Sequence, residues 1–341
     1  MKKYLSILFI FTIFFSLLSA GEQVVEMAEI NKPGNIIVDG GQILITEFPV
    51  VYVYSQKDFS FITKFGKKGD GPQEFSQYIR VQKDPKNPDK IVVGSHMKMS
   101  YYSRDGKFIS EKKPKGAGLG NVYKPFGDKF VSYSGYQDKE KKIVYSTIEL
   151  YDGNLKKIKR IYEEPQTFQQ GKKINVLRTW GAWFRLWNNQ VFVTGEKEGY
   201  VLIYDETGTL KKELKCELGK LKVRDSDKKR YHKFLSTDPQ FKRFYENIKQ
   251  FIDFPSVFPI IRGMDVVDDK LYVNGYPNPD GRSEFAVYTL DGKLIKNKIY
   301  LPIPEATARD LYPYTIKDGK VYQLVDNDDE EVWELHVHDL K

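Results

Sequence analysis

Four arginines stand where long polar segments give way to apolar, strand-like ones: Arg80, Arg178, Arg262 and Arg309. A planar guanidinium fork meets two oxygens of a carboxylate, sulfate or phosphate at once, so arginines gathered at one opening would hold an acidic ligand. The plainer reading pairs each with a nearby acid such as Glu74, Asp265 or Asp310, as surface arginines commonly are. The segment Thr179 to Trp187 adds aromatic surface, with three of the chain's 4 tryptophans. Trp180 lies at its loop end, where an indole could stack on a sugar or peptide, and Tyr123 and Asn121 hold a comparable place upstream. Alternation sets Trp183 and Trp187 on one strand face, packed against neighbouring structure.

Signals for bond-breaking chemistry are thin. There is no His-Glu-x-x-His helix and no Gly-x-Ser-x-Gly elbow. The single Cys216 excludes an internal disulfide, a four-thiolate zinc site and a Cys-x-x-Cys pair, and its alternating surroundings make it a small core residue. Of the 4 histidines, His96 sits in a loop and is the one candidate general base. His232 belongs to a helical segment. His336 and His338 share a strand face and could clip a metal, or could belong to a solvated terminal strand. The run Asp326-Asn327-Asp328-Asp329-Glu330-Glu331 offers oxygens for calcium but lacks the glycine-punctuated spacing of an EF-hand, and a solvated turn accounts for it as well.

The elements that position these groups belong to a folded chain. It has 341 residues, 40% apolar and 29% charged, which excludes disorder and collagen; Tyr 23 and Phe 22 against Met 5 favour strands. Residues 1–20 read as a secretory signal: Lys2 and Lys3, an apolar run from Leu5 to Leu18, then Leu18-Ser19-Ala20 as a cleavage site. Gly21 stands where a lipoprotein would need a cysteine, so an exported protein without a stable membrane anchor, periplasmic or extracellular, is expected. An uncleaved N-terminal anchor is the alternative, on an apolar run shorter than the ~20 residues a spanning helix needs. The net charge of +8 is spread along the chain and nucleic-acid binding is not expected.

A repeat organises the rest. A strand ending in tyrosine, a tight polar turn and another strand recur at Tyr54, Tyr102, Tyr151, Tyr204 and Tyr288, with a truncated copy at His338. A second marker, a polar turn followed by an alternating strand, begins at Ile43, Ile91, Phe130, Val191, Leu271 and Val321. Two turns per unit of about fifty residues imply four strands, a propeller blade. The expected fold is therefore all-β, a six-bladed β-propeller over 21–341. Its last unit runs out before a fourth strand, and Gln23 to Ile30 is a strand-like segment without a place in the first, so ring closure by the N-terminal strand follows. One repeat is longer, and its excess at Gly219–Pro255 carries Phe241, Phe244, Tyr245, Ile248, Phe251 and Ile252 at helical spacing, with Thr237-Asp238-Pro239 as a start signal. Ser226 to Leu235 reads as a shorter helix before it. This insert between blades four and five packs an apolar face on the propeller or docks a partner.

The segment Phe65-Gly66-Lys67-Lys68-Gly69-Asp70-Gly71-Pro72-Gln73-Glu74-Phe75 is similar to the glycine-rich connector of bacterial secreted six-bladed β-propellers related to NHL-repeat proteins. The resemblance extends more loosely over residues 35–341 through the tyrosine-and-glycine turns, and it implies a propeller used as a binding scaffold. Read by itself, the segment lacks the Gly-Lys-Ser/Thr of a phosphate loop and suits a sharp crossing between blades.

In such a ring the long connectors share one face, here called the mouth, and the short hairpins lie opposite. The first functional expectation is a monomeric, non-catalytic scaffold whose mouth holds a protein, peptide or acidic saccharide through Arg80, Arg178, Arg262 and Arg309, with Trp180 or Tyr123 stacking, and without a cofactor. The alternative is a hydrolase or lyase with calcium in the central opening, as in lactonase-type propellers, for which Asn121, Asp265 and Asp310 offer themselves. A structural partner docking on the insert is a third reading. Three or more oxygens at metal distance on the axis would favour the enzyme, and convergent arginines without them the binder.

Overall fold

Tight turns set the architecture, because their residues accept positive φ. Between first and second strands the turns Asn188-Asn189 (φ 42°, 56°), Asp268-Asp269 (51°, 55°) and Asp318-Gly319 (52°, 69°) are left-handed at both centres, as a two-residue hairpin needs. Between third and fourth strands the left-handed position is glycine in blades two, four and five, at Gly106, Gly208 and Gly292, and Phe59 or Leu155 in blades one and three. At Asp205–Thr209 the Asp205 carboxylate accepts from the Thr207 and Thr209 amides at 2.9 and 3.0 Å, while Gly208 takes φ 73°. The matching register shift at Ile203/Tyr204 is the bulge this three-residue loop produces.

The computed structural model describes residues 22–95, 98–113, 123–166, 173–178 and 182–340. Residues 1–21, His96, Asn121 and Trp180 lie outside the described residues. The strands form six four-stranded antiparallel sheets arranged as a six-bladed propeller. The inner strands are Asn35–Asp39, Ile79–Lys83, Tyr123–Phe126, Trp183–Trp187, Gly263–Val267 and Tyr314–Lys317. Blade six takes its outer strand from the chain's start: Glu22–Glu26 pairs antiparallel with Val332–Asp339, Val24 opposite His336. The strand ends four residues earlier than the apolar pattern to Ile30 predicts, because Met27 and Ile30 turn inward and are buried.

Apolar alternation then explains the ring. Each interior strand sends one set of side chains to the blade before it and the other to the blade after, so every interface between blades has its own core. Ile43 and Ile45 face Leu324 and Leu335 of blade six, whereas Leu44 between them faces Val81 and Val93 of blade two. The same division gives the cores around Tyr123 and Met99, Val131 and Val193, Phe192 and Leu271, and Phe285 and Val321. Cys216 lies inside the fourth-to-fifth interface, as a core residue should.

The insert is helical with its proportions reversed. Helix α1, Asp225–Thr237, is the longer; α2, Lys242–Ile248, has 7 residues and passes into a 3-10 turn at Lys249–Phe251. Asp238 ends α1, its amide donating to Phe234 O at 2.9 Å, and also leads into α2, its carboxylate accepting the Gln240 amide at 2.8 Å and its carbonyl the Lys242 amide at 2.9 Å. The buried face belongs mainly to α1: Tyr231 packs with Leu177, Phe258, Tyr276 and Ala308, and Leu235 is buried one turn on, while α2 buries Ile248. On α2, Phe244 stays 47% exposed. A short parallel pairing of Ile174–Asn175 with Ile252–Asp253 ties the insert to the connector before blade four.

Candidate functional site

The inner strands are linked around the axis by polar contacts. Asn35 of blade one receives the Val81 amide at 3.2 Å, Gln82 of blade two donates to Tyr123 O at 3.1 Å, and Lys124 of blade three lies 3.5 Å from Phe184 O. Arg185 of blade four meets Asp265 of blade five at 3.1 Å, and Tyr314 of blade six reaches past the inner strand of blade five to donate to Asn274 Oδ1 on its second strand at 3.1 Å. Gly263 makes room for that last bond, since a Cβ there would lie 2.6 Å from the Tyr314 hydroxyl. On the opposite face, hairpin charges repeat the linkage as Asp39 with Lys83 and Arg104, and Asp268 with Lys317.

At the mouth end of the axis the charge is unbalanced. Arg80 and Lys124 are the second residues of their strands, and Arg185 and Asp265 the third. Enclosure among the inner strands and the neighbouring Arg185 both lower the Arg80 guanidinium from its usual value. Arg80 nevertheless keeps an exposed surface, as a side chain projecting into a channel does. The Lys124 ammonium, 4.4 Å from the Phe184 ring centre, is pushed down to about 7 by burial and then by Arg185 and Arg80, with Asp265 opposing weakly. Three cations thus face one carboxylate, and Asp265 already accepts from Arg185. Clustered guanidinium and ammonium groups of this kind favour an anion among them.

Aromatic surface flanks this cluster. Tyr78 and Trp183 are two residues before Arg80 and Arg185, and stand 42% and 40% exposed. Trp183 therefore corrects the sequence expectation: it opens to solvent at the strand's mouth end, while Trp187 stays partly buried between blades and donates to Asp269 at 2.8 Å.

The four arginines do not gather at one opening. Arg80 alone stands with Lys124 and Arg185. Arg178 binds Glu164 at 2.8 Å, a carboxylate 2% exposed that Tyr162 also contacts, and burial raises Glu164 above the usual carboxylate range despite that cation. Arg178 lines a surface crevice with Thr194, Lys197, Tyr200, Ile261 and Tyr276. Arg262 is buried, stacks 4.7 Å from the Tyr276 ring centre and pairs with Glu305, which Arg230 of α1 also holds. Its second nitrogen donates to Arg309 O at 3.3 Å, and Arg309 itself pairs with Asp310 at 3.5 Å and lies over Phe241. These three fasten connectors and insert together, the local pairing that a desolvated guanidinium requires. Tyr123, expected to stack on a ligand, is 2% exposed and packed edge-on against Tyr151 at 5.0 Å, because its position faces the second-to-third interface.

Asp265 and Asp310 are not brought together: one is bound to Arg185, the other to Arg309. The glycine-rich connector is folded on itself, with Glu74 accepting the Gly71 amide at 3.0 Å and Lys98 donating to Gly71 O at 2.9 Å. Among the described residues, the group with metal-ligand spacing is Glu22, His336 and His338, on the rim of blade six. His338 is 4% exposed, so the last strand is covered by the first and is not the solvated edge its position suggests. No helix among the described residues is long and apolar enough to cross a membrane.

No protein-family model matches this chain. No curated protein matches it either. Solved structures do. A Bacteroides fragilis NCTC 9343 protein whose name carries a provisional assignment to export is 14% identical, over 96% of this chain and 98% of its own, with a TM-score of 0.49. A Bacteroides vulgatus member of the DUF4221 family is 8% identical over 94% and 98%, at 0.46. The WD40 domain of Neurospora crassa Pan2 is 10% identical over 90% and 89%, at 0.40.

Proposed function

We propose that the chain is an exported binding protein whose propeller seats an acidic saccharide at the mouth end of its central channel. In this reading residues 1–20 are a leader and 21–341 a single, monomeric propeller domain of the NHL-like kind. Arg80, Lys124 and Arg185 take the ligand's carboxylate or sulfate, and Tyr78 and Trp183 offer ring faces to the sugar. The observation that carries the proposal is the excess of charge: the ionic neighbour acting on Arg80 is another cation, Arg185, and an anionic ligand relieves that repulsion. Affinity comes from preorganisation, since blades fixed on both sides lose little freedom on binding.

Galacturonate and a short galacturonate oligomer, titrated calorimetrically beside their uncharged galactose counterparts, test the proposal. Binding of the acidic sugars is expected, weakened at least tenfold by Arg80→Gln, as loss of one charge-assisted hydrogen bond of about 1.5–3 kcal/mol implies. Equal affinity for acidic and neutral sugars, or none for either, would refute it.

A further inference from the structure

The ring is closed where the chain's first described strand meets its last, and a second polar cluster sits on that seam. Glu22 lies directly opposite His338, and His336 lies two residues away on the same face. Glu22 Oε1 is 3.3 Å from His336 Nδ1 and 3.6 Å from His338 Nε2, and the three ligand atoms lie within 4.8 Å of one another. Ligands 2.0–2.1 Å from a tetrahedral zinc ion stand roughly 3.3–3.4 Å apart, close to the spacings Glu22 makes.

The other nitrogen of His336 makes a second carboxylate contact. Its Nε2 is 2.8 Å from Glu334 Oε2, and Glu334 is held in turn by Asn327, which donates to its other oxygen at 2.9 Å. A neutral imidazole has one N–H and cannot donate to Glu334 and Glu22 together. With the proton on Nε2, the Nδ1 lone pair faces the Glu22 carboxylate, an arrangement that calls for a positive charge between them. A carboxylate behind a ligating histidine is the outer-shell partner that fixes the tautomer at metal centres.

We propose that Glu22, His336 and His338 form a divalent transition-metal site, of the zinc class, that staples the N-terminal strand to blade six. Two imidazoles and one carboxylate suit zinc better than calcium, which takes six to eight oxygens. Two ligands come from the last strand and one from the first, so the ion binds only the closed ring and stabilises it.

The test uses the full chain purified without a polyhistidine tag, stripped with a chelator, desalted and given Zn2+. One Zn2+ retained per chain after gel filtration and a melting temperature several degrees higher are expected. Glu22→Gln and His338→Gln should each lose both effects, and a cobalt-loaded sample should show the visible absorption of a tetrahedral site. If His338→Gln fails to fold, Glu22→Gln alone decides, its side chain being 29% exposed. No retained zinc in the wild type, or the same retention and shift in Glu22→Gln, overturns the site.

Discussion

Arg185 Nε lies 3.1 Å from Asp265 Oδ1 across the gap between the inner strands of blades four and five. Both side chains keep some solvent contact, at 34% and 17% exposure, so the pair is intermediate between surface and buried. Asp265→Asn removes the acid that offsets part of the charge of Arg80, Lys124 and Arg185. It is expected to destabilise the apo protein by about 1–2 kcal/mol in urea unfolding, between the ranges for exposed and buried pairs. The same change should tighten galacturonate binding severalfold, an opposition between stability and affinity that a merely structural ion pair would not give.

Arg80→Gln should behave in the other sense. Its ionic neighbour is Arg185, so the apo melting temperature is expected to hold or rise slightly as repulsion is relieved. A loss of several degrees would mean that Arg80 serves folding and not a ligand.

Lys124 gives the site a pH dependence of known sign. Its value is about 7 when folded against 10.5 for the ordinary group, so between those pH values the unfolded chain holds the additional proton. Stability should therefore rise with pH across that window, and remain at its lower level below it, where both states are protonated. In Lys124→Met this rise disappears, which chemical denaturation from pH 6.5 to 9.5 reads directly. An anion seated beside Lys124 favours its charged form, so binding at pH 8.5 should take up a proton, measurable as a heat of binding that varies with the buffer's ionisation enthalpy.

Much of this fold was legible in the chain because turn chemistry is local. Asn188-Asn189, Asp268-Asp269 and Gly208 announce hairpins from their own residue types, and equal spacing of hairpins makes blades. The missing strand of the last unit and the spare strand-like segment from Gln23 to Ile30 gave the closure by count. The channel site was less legible because it depends on direction. Lys124, Arg185 and Asp265 each sit singly between apolar neighbours, as in Trp183-Phe184-Arg185-Leu186-Trp187, and only the innermost position of their strands makes such isolated charges face one another. That pattern, a lone charge inside the first strand of a blade, was the available signal. Arg178 and Arg262 misled because their partners come from elsewhere in the chain, Glu164 from the end of blade three's outer strand and Glu305 from a connector, whereas Arg309 pairs with the adjacent Asp310.

Glu305 joins the insert to the propeller by holding Arg230 of α1 and the buried Arg262. Glu305→Gln leaves Arg262 desolvated without its acid and is expected to lower stability by about 3–5 kcal/mol, the usual cost of halving a buried pair. Limited proteolysis should then cut first near Thr237–Phe241, where α1 ends.

Cys216 lies 4% exposed in the fourth-to-fifth interface, and burial pushes its thiol up to about 12. It should resist a thiol reagent at pH 8 in the native protein and react fully in denaturant. Rapid native labelling would mean that blades four and five separate readily.

If the channel cations seat an anion, a heavy oxyanion reports its position directly. Crystals soaked in tungstate and measured at the tungsten edge are expected to show an anomalous peak on the axis, within hydrogen-bond reach of at least two of Arg80, Lys124 and Arg185, and to lose it in Arg80→Gln. Peaks confined to the outer surface, with the channel empty at the same tungstate concentration, would contradict the account.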